Sequence, residues 1–409
     1  MHTAFALVIG NGSSALRGRI VFPPLLEMLA FFISFIAMPW RCGAALAENS
    51  ETGVRKAERV ERIVAARGQG YFPVMIKLKD RSLGAVIRGG APHIGVGGRL
   101  DWIRSEDGGR TWSKPAVIVD SKWDDRNPSL GQMADGTIVV GYAEASTYDA
   151  QGKWDTSAGA YELFYVNSHD NGKTWSPKNE FYSGPIINGS AFGRIIHDRH
   201  GTALMAIYGE RNPLYKGPEK LDGKASDYSG IIRSRDNGRT WGDFSLILSG
   251  HNEASLQLLP DGRLIAVVRT EGGALSVAES SDDGYHWSLT QKLTREGQHP
   301  ADICLLKNGR LLVTYGNRLR PYGVGCVTSS DRGRTWNYDN RVMLAWDSEN
   351  TDCGYPSTLQ LDDGTILTMY YSVGTKSLPG VAQAVCLRYG EAAVSVPSTP
   401  SSPTPGSSP

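Results

Sequence analysis

SEDGGRTW at Ser105–Trp112 returns four more times, as SHDNGKTW at Ser168–Trp175, SRDNGRTW at Ser234–Trp241, SSDDGYHW at Ser280–Trp287 and SSDRGRTW at Ser329–Trp336. An internal repeat of this kind outranks every other signal in the chain. Each copy has the chemistry of a tight turn between two strands. The Asp can accept hydrogen bonds from backbone N–H groups of its own turn, the Gly tolerates positive φ, and the Trp can pack between neighbouring sheets. Alternating Asp and Gly also suggests a calcium loop, but the bidentate Glu that closes an EF-hand is missing. These aspartates are therefore read as structural staples, with no catalytic role.

Successive box aspartates lie 63, 66, 46 and 49 residues apart, the length of a four-stranded sheet with its loops. Outward from the boxes runs a second repeat, an apolar strand broken by a polar turn: KLKDRSLGAVIR near Lys77, QMADGTIVVGY from Gln132, IIHDRHGTALMAIY from Ile195, LLPDGRLIAVV from Leu258, LLKNGRLLVTY from Leu305 and QLDDGTILTMYY from Gln360. Six hairpins predict an all-β, six-bladed β-propeller. The sixth hairpin has no box after it and the repeat ends near Tyr389, so the last blade is expected to borrow its outermost strand from the segment around Arg59 to Ala66. Closing the ring in this way removes free sheet edges.

Composition agrees: 48 Gly, 17 Tyr and 10 Trp accompany no long helical periodicity after position 50. A formal net charge of +1 gives no argument for nucleic acid or an anionic membrane as partner. The expected organisation is a signal peptide over 1–47, a propeller over 48–392 and a disordered Pro/Ser/Thr-rich tail over 393–409. Arg17 and Arg19 precede the apolar stretch Leu25 to Met38 and the small residues Ala45-Leu46-Ala47, the pattern of an exported protein that is secreted or periplasmic. The apolar stretch is short and contains Glu27, so no stable membrane span is expected. Four cysteines remain after position 47, Cys304, Cys326, Cys353 and Cys386. They permit disulfides without choosing among three pairings, and they lack a zinc spacing. A monomer is expected, with neither cofactor nor metal.

In a propeller the starts of the innermost strands converge on one depression. Those positions carry Tyr71, then Asp125, Arg126 and Asn127, then Asn188, then Asn252 and Glu253, then His299 and Asp302, then Tyr355, with Arg269 and Arg318 following two of the inner strands. Acidic, phenolic and guanidinium groups together suit an anionic substrate.

Over roughly residues 70 to 390, five boxes of the form S-x-D-x-G-x-T-W, one of them with His286 in the Thr position, on a six-unit ring resemble the sialidase (neuraminidase) superfamily. The segment Asn252 to Arg269, NEASLQLLPDGRLIAVVR, is similar to the sialidase stretch in which a Glu opens one strand and a carboxylate-clamp arginine closes the next. YPSTLQLDDGTILTMYY is similar to the stretch carrying the sialidase nucleophile. The resemblance implies Tyr355 as nucleophile, Glu253 as its base, Arg269 as a clamp arginine, and Arg318 or, second, Arg320 as another. Asn127-Pro128 also fits the pattern.

Two departures stand out. Tyr71-Phe72-Pro73 stands where the family has an Arg-Ile-Pro triplet, so one clamp arginine is missing, with Arg88 or Arg126 as candidates to replace it. Where the family has an acid/base Asp, spacing from Ser105 lands on His93. Asp101 is the alternative acid. An imidazole can protonate a leaving oxygen and later activate water.

The implied function is an exported exo-α-sialidase-like glycoside hydrolase, releasing a terminal acidic sugar from sialylated or other acidic glycans by a retaining Tyr/Glu mechanism. The alternatives are a uronic-acid-directed glycosidase or polysaccharide lyase on the same propeller, and a non-catalytic glycan-binding propeller.

Overall fold

The computed structural model describes residues 54–181, 184–217 and 221–395. The expected signal peptide and the tail beyond Ser395 lie outside the described residues. The packed chain reaches past the expected boundary at 392: Ala393 and Val394 are buried, and the Ser395 carbonyl accepts from Arg55.

The fold is all-β and propeller-like. One four-stranded antiparallel sheet is Tyr71–Lys77, Leu83–Gly89, Arg99–Ser105 and Ala116–Val119. Another is His251–Leu258, Leu264–Thr270, Leu275–Ser280 and Ser288–Lys292. Gln298–Leu305, Leu311–Asn317, Gly323–Ser329 and Val342–Ala345 form a third, extended at its outer edge by the parallel strand Arg55–Lys56. The last hairpin, Cys353–Gln360, Ile366–Thr375 and Leu378–Tyr389, is completed by Glu61–Arg67 pairing antiparallel with Leu378–Tyr389, which is the borrowed strand the sequence calls for.

The remaining strands differ from a simple blade count. Two antiparallel runs, one from Asp124–Gln132 outward and one from Ile186–His197 outward, join into a single eight-stranded sheet. The join is a short parallel pairing of Gly193 with Ser129 and Arg194 with Leu130. Glycine makes it possible, since a Cβ on Gly131 would come within 2.5 Å of Ile195.

All five boxes are built as turn staples. In every copy the Ser hydroxyl accepts the N–H of the box Gly at 2.8–2.9 Å. The Asp accepts the N–H of the residue before Trp, which is Thr in four copies and His286 in the other. Burial raises the pKa of the Asp107 carboxyl, but its turn hydrogen bonds with Thr111, Ser105 and Arg110 together outweigh it and hold the pKa down at about 2. The box glycines also let neighbouring sheets touch: a Cβ on Gly109 would approach Leu367 of the last sheet to 3.2 Å, and one on Gly238 would approach Val139 to 2.5 Å.

Apolar clusters fill the spaces between successive runs. Met75, Leu83 and Ile87 pack with Leu367 and Met369, closing the ring between its first and last strands. Because both faces of a sheet are covered, strands such as LGAVIRG at Leu83–Gly89 are buried along their whole length, with no polar alternation. The four cysteines are buried free thiols, and burial pushes Cys304 and Cys353 up to about 11. Among the described residues no helix is long and apolar enough to cross a membrane.

Candidate active site

Every innermost strand slips register near its start: between Tyr71 and Val74, Arg126 and Ser129, Ile187 and Ser190, His251 and Ala254, Gln298 and Ala301, and Gly354 and Ser357. Such bulges re-aim side chains. At four of them a non-glycine residue takes left-handed φ: Phe72 at 51°, Asn127 at 50°, Asn188 at 48° and Tyr355 at 51°. Backbone of this kind costs energy and persists where surrounding structure holds it. Phe72 and Tyr355 join Tyr71, Phe192 and Tyr371 in a cluster of their own, and Asn127 lines the same cavity, whereas Asn188 donates to Glu210 instead.

Tyr355 donates its phenolic hydrogen to Glu253 at 2.6 Å. The other oxygen of Glu253 accepts from Arg269 at 2.9 Å, so one carboxylate links phenol and guanidinium. Burial, and after it the negative charge of Glu253, raise the Tyr355 pKa, against the pull of Arg269 and Arg318. The phenol is therefore neutral at physiological pH. Arg318 stands with its guanidinium carbon 5.8 Å from the Tyr355 ring centroid. Its Nε and Nη2 are buried without hydrogen-bond partners among the described residues, as are Nε of Arg269 and Nε of Arg126. Arg126 donates to Asp124 at 3.1 Å and lies 5.4 Å from the centroid of Phe72. Unpaired guanidinium donors converging on one phenol form a place for an anion.

His93 is brought to the same cluster, its ring 5.0 Å from that of Phe72 and edge-on to it. Its Nδ1 meets Asp352 at 2.5 Å, and Tyr371 donates to the same Asp352 oxygen at 2.8 Å. Burial lowers the His93 pKa, as do the charges of Arg126 and Arg318, while Asp352 raises it.

Other expected residues are placed differently. Arg88 is fully buried and spends its donors on Asp124 and on the carbonyls of Ala91, Pro92 and Gly95, so it braces the loop carrying His93 and leaves no donor for a carboxylate clamp. Arg320 is exposed, with its guanidinium carbon 5.1 Å from the Tyr322 ring centroid, and it is not brought to the cluster. Tyr71 is a packed aromatic, 5.1 Å from Tyr371 and beneath the Arg88 guanidinium. Asn127 donates to the Tyr208 hydroxyl at 2.8 Å. Asp101 is buried against Arg99, and burial raises its pKa. Asp302 is consumed by structure, accepting from Arg194, Ser255 and the Thr358 N–H and so tying four runs of strands together. Asp302 also lines a small cavity together with Phe72, Asn127, Phe192 and Tyr355.

Sequence reasoning missed Asp352, Tyr371 and Tyr208. Asp352 has a signal, since it falls three residues before Tyr355 in DCGYP. Tyr371 stands directly opposite Gly354 across the hairpin.

Residues 88–369 match the BNR repeat-like domain family. A sialidase of Bacteroides fragilis is 24% identical over 323 residues, covering 68% of this chain and 54% of that protein, so the chain spans about half the length of that relative. A sialidase of Clostridium perfringens is 24% identical over 310 residues, covering 70% of each. Among solved structures, a protein of unknown function from Dyadobacter fermentans superimposes with a TM-score of 0.66 at 23% identity, covering 80% of this chain and 98% of that one. Trypanosoma rangeli sialidase in complex with sialic acid does so at 0.59 and 16% identity, covering 82% and 60%. With the family match extending over most of the ring, the chain belongs to the BNR repeat-like domain family, within the sialidase superfamily.

Proposed function

We propose that the chain is an exo-α-sialidase-type glycoside hydrolase that releases a terminal carboxylated sugar with retention. The observation that carries this reading is the hydrogen bond from Tyr355 to Glu253, with Arg269 on the second oxygen and the unpaired donors of Arg318 beside the phenol. A carboxylate on the anomeric carbon repels a carboxylate nucleophile and leaves a neutral phenol unopposed. Arginines fix that carboxylate in bidentate geometry. The Tyr355 oxygen attacks the anomeric carbon while its proton passes to Glu253, and His93 protonates the departing oxygen. Water then displaces the tyrosine, giving a proton to His93 while Glu253 returns its own to Tyr355. Arg126 takes the place of the missing third clamp arginine.

The reading counts six blades in the ring by dividing the eight-stranded sheet at its two-pair parallel join, and this division is supported by the antiparallel runs on either side. It also takes the protein as exported and monomeric. N-terminal sequencing of the secreted chain, expected to begin near Glu48, and light scattering test those two points.

The decisive experiment is release of 4-methylumbelliferone from its α-sialoside by the chain lacking residues 1–47, beside Tyr355→Phe. Turnover by the wild type that falls at least about 10³-fold in the variant is expected. A folded wild type with no turnover overturns the substrate assignment. A uronic-acid glycan is the second reading, supported by Tyr71 standing where the family resemblance places an arginine. A lyase acting on one gives an unsaturated product that absorbs in the ultraviolet.

A further inference from the structure

The hydrolase reading leaves two groups unassigned at the centre, Asp352 and Tyr371. Both touch His93, and neither touches Tyr355 or Glu253 through a hydrogen bond. The 2.5 Å contact joins Asp352 Oδ1 to His93 Nδ1, and Tyr371 donates to that same Oδ1 at 2.8 Å. Tyr371 Oη also lies 3.2 Å from Nδ1, but its hydrogen is used on Asp352. Asp352 is held below the usual carboxylate range by its bonds to His93 and Tyr371, against burial. An ionised carboxylate can only accept, so Nδ1 carries the hydrogen. The other ring nitrogen, Nε2, has no hydrogen-bond partner among the described residues. The backbone is fixed from the opposite side, where Arg88 donates to the carbonyl of Pro92 at 2.7 Å and Tyr148 accepts the Gly95 N–H.

We propose that Asp352, supported by Tyr371, is a positioning residue that sets the His93 tautomer and turns Nε2 to the leaving-group oxygen. A His–Asp pair then performs the proton transfer for which the family resemblance implies a single aspartate. The proposal rests on the hydrolase reading. In the first step the proton on Nε2 goes to the glycosidic oxygen as the bond to the anomeric carbon breaks and its electron pair leaves with the oxygen. In the second, neutral Nε2 takes a proton from the attacking water as the carbon–tyrosine bond breaks. His93 ends protonated, as it began.

A pH signature follows. The charged and titratable groups around the imidazole are Asp352, Tyr371 and Tyr71, with the charges of Arg126 and Arg318 acting on it as well. Asp352 favours the protonated ring and the two arginines oppose it. The acid form is lost as pH rises through the His93 pKa, so removing the Asp352 charge moves the alkaline limb of kcat/KM to lower pH.

The test compares Asp352→Asn with wild type on two substrates, α-2,3-sialyllactose, whose sugar leaving group needs a proton, and the 4-methylumbelliferyl α-sialoside, whose leaving group does not. Expected is a loss of about 10²- to 10³-fold on sialyllactose against less than about tenfold on the aryl sialoside, with the alkaline limb displaced to lower pH. Equal losses on both substrates, or an unmoved limb, overturn the proposal. A second measurement does not depend on turnover: ¹⁵N NMR of the His93 ring in the folded wild type, expected to show hydrogen on Nδ1 in the neutral form. The opposite tautomer overturns the positioning role even if the protein hydrolyses sialosides. Absence of turnover on either substrate, with the Nδ1–H tautomer present and lost in Asp352→Asn, defeats the sialidase reading alone.

Discussion

At the scale of single residues, the site is a redistribution of positive charge. Arg126-Asn127-Pro128 has the local form of Tyr71-Phe72-Pro73: a side chain, then a residue at left-handed φ, then proline. The first run of strands therefore presents aromatics where the next presents an arginine. Arg318 is the guanidinium with the most to offer a ligand, because two of its buried nitrogens lack partners. Replacing it with Met is expected to lower kcat/KM for a carboxylated substrate by about 10- to 10²-fold, as befits loss of a charge-assisted hydrogen bond. The same variant should leave the rate on the methyl ester nearly unchanged, and kinetics on the acid and ester side by side check this. Glu253 and Tyr355 were legible as central residues because they stand near the starts of innermost strands, and Arg269 and Arg318 because they stand at or just past the ends of the second strands of the fourth and fifth hairpins. Arg88 was misread as a clamp arginine because only the folded loop of Ala91 to Gly95 supplies the carbonyls that occupy it.

At the scale of elements, the chain alternates two devices. The box turn satisfies its own backbone locally, which is why five copies could be recognised letter by letter. The bulge at the start of each inner strand could not, since it is defined by pairing with the neighbouring strand and carries no fixed residue. The box glycine belongs to both worlds. Gly238 sits at φ 79° and faces Val139 of the preceding run across a gap too small for a methyl group. Gly238→Ala is expected to destabilise by about 1–3 kcal/mol through backbone strain and overpacking together, read as a lower midpoint in denaturant unfolding. Gly364→Ala meets nothing within 4 Å at φ 88°, so it should show the strain without the clash and a smaller loss.

At the scale of the whole molecule, closure governs stability. Glu61–Arg67 covers the edge of Leu378–Tyr389 and places Ala65 and Ala66 in the cluster between the last and first runs. A chain beginning at Gly68 is expected to expose that edge and aggregate, whereas one beginning at Val54 stays monodisperse; size-exclusion chromatography distinguishes them. The sequence by itself determined the turn chemistry, the hairpins, the strand lent from the N-terminal side and the residue types gathered at strand starts, because hydrogen bonds within a turn and apolar patterning along a strand are local properties. Only the tertiary structure decided which groups pair. Tyr355 meets Glu253 across 102 positions, and His93 meets Asp352 across 259. Such partners are chosen by the packing of sheets around a common centre, which brings together residues far apart in the chain and is written in no short stretch of it.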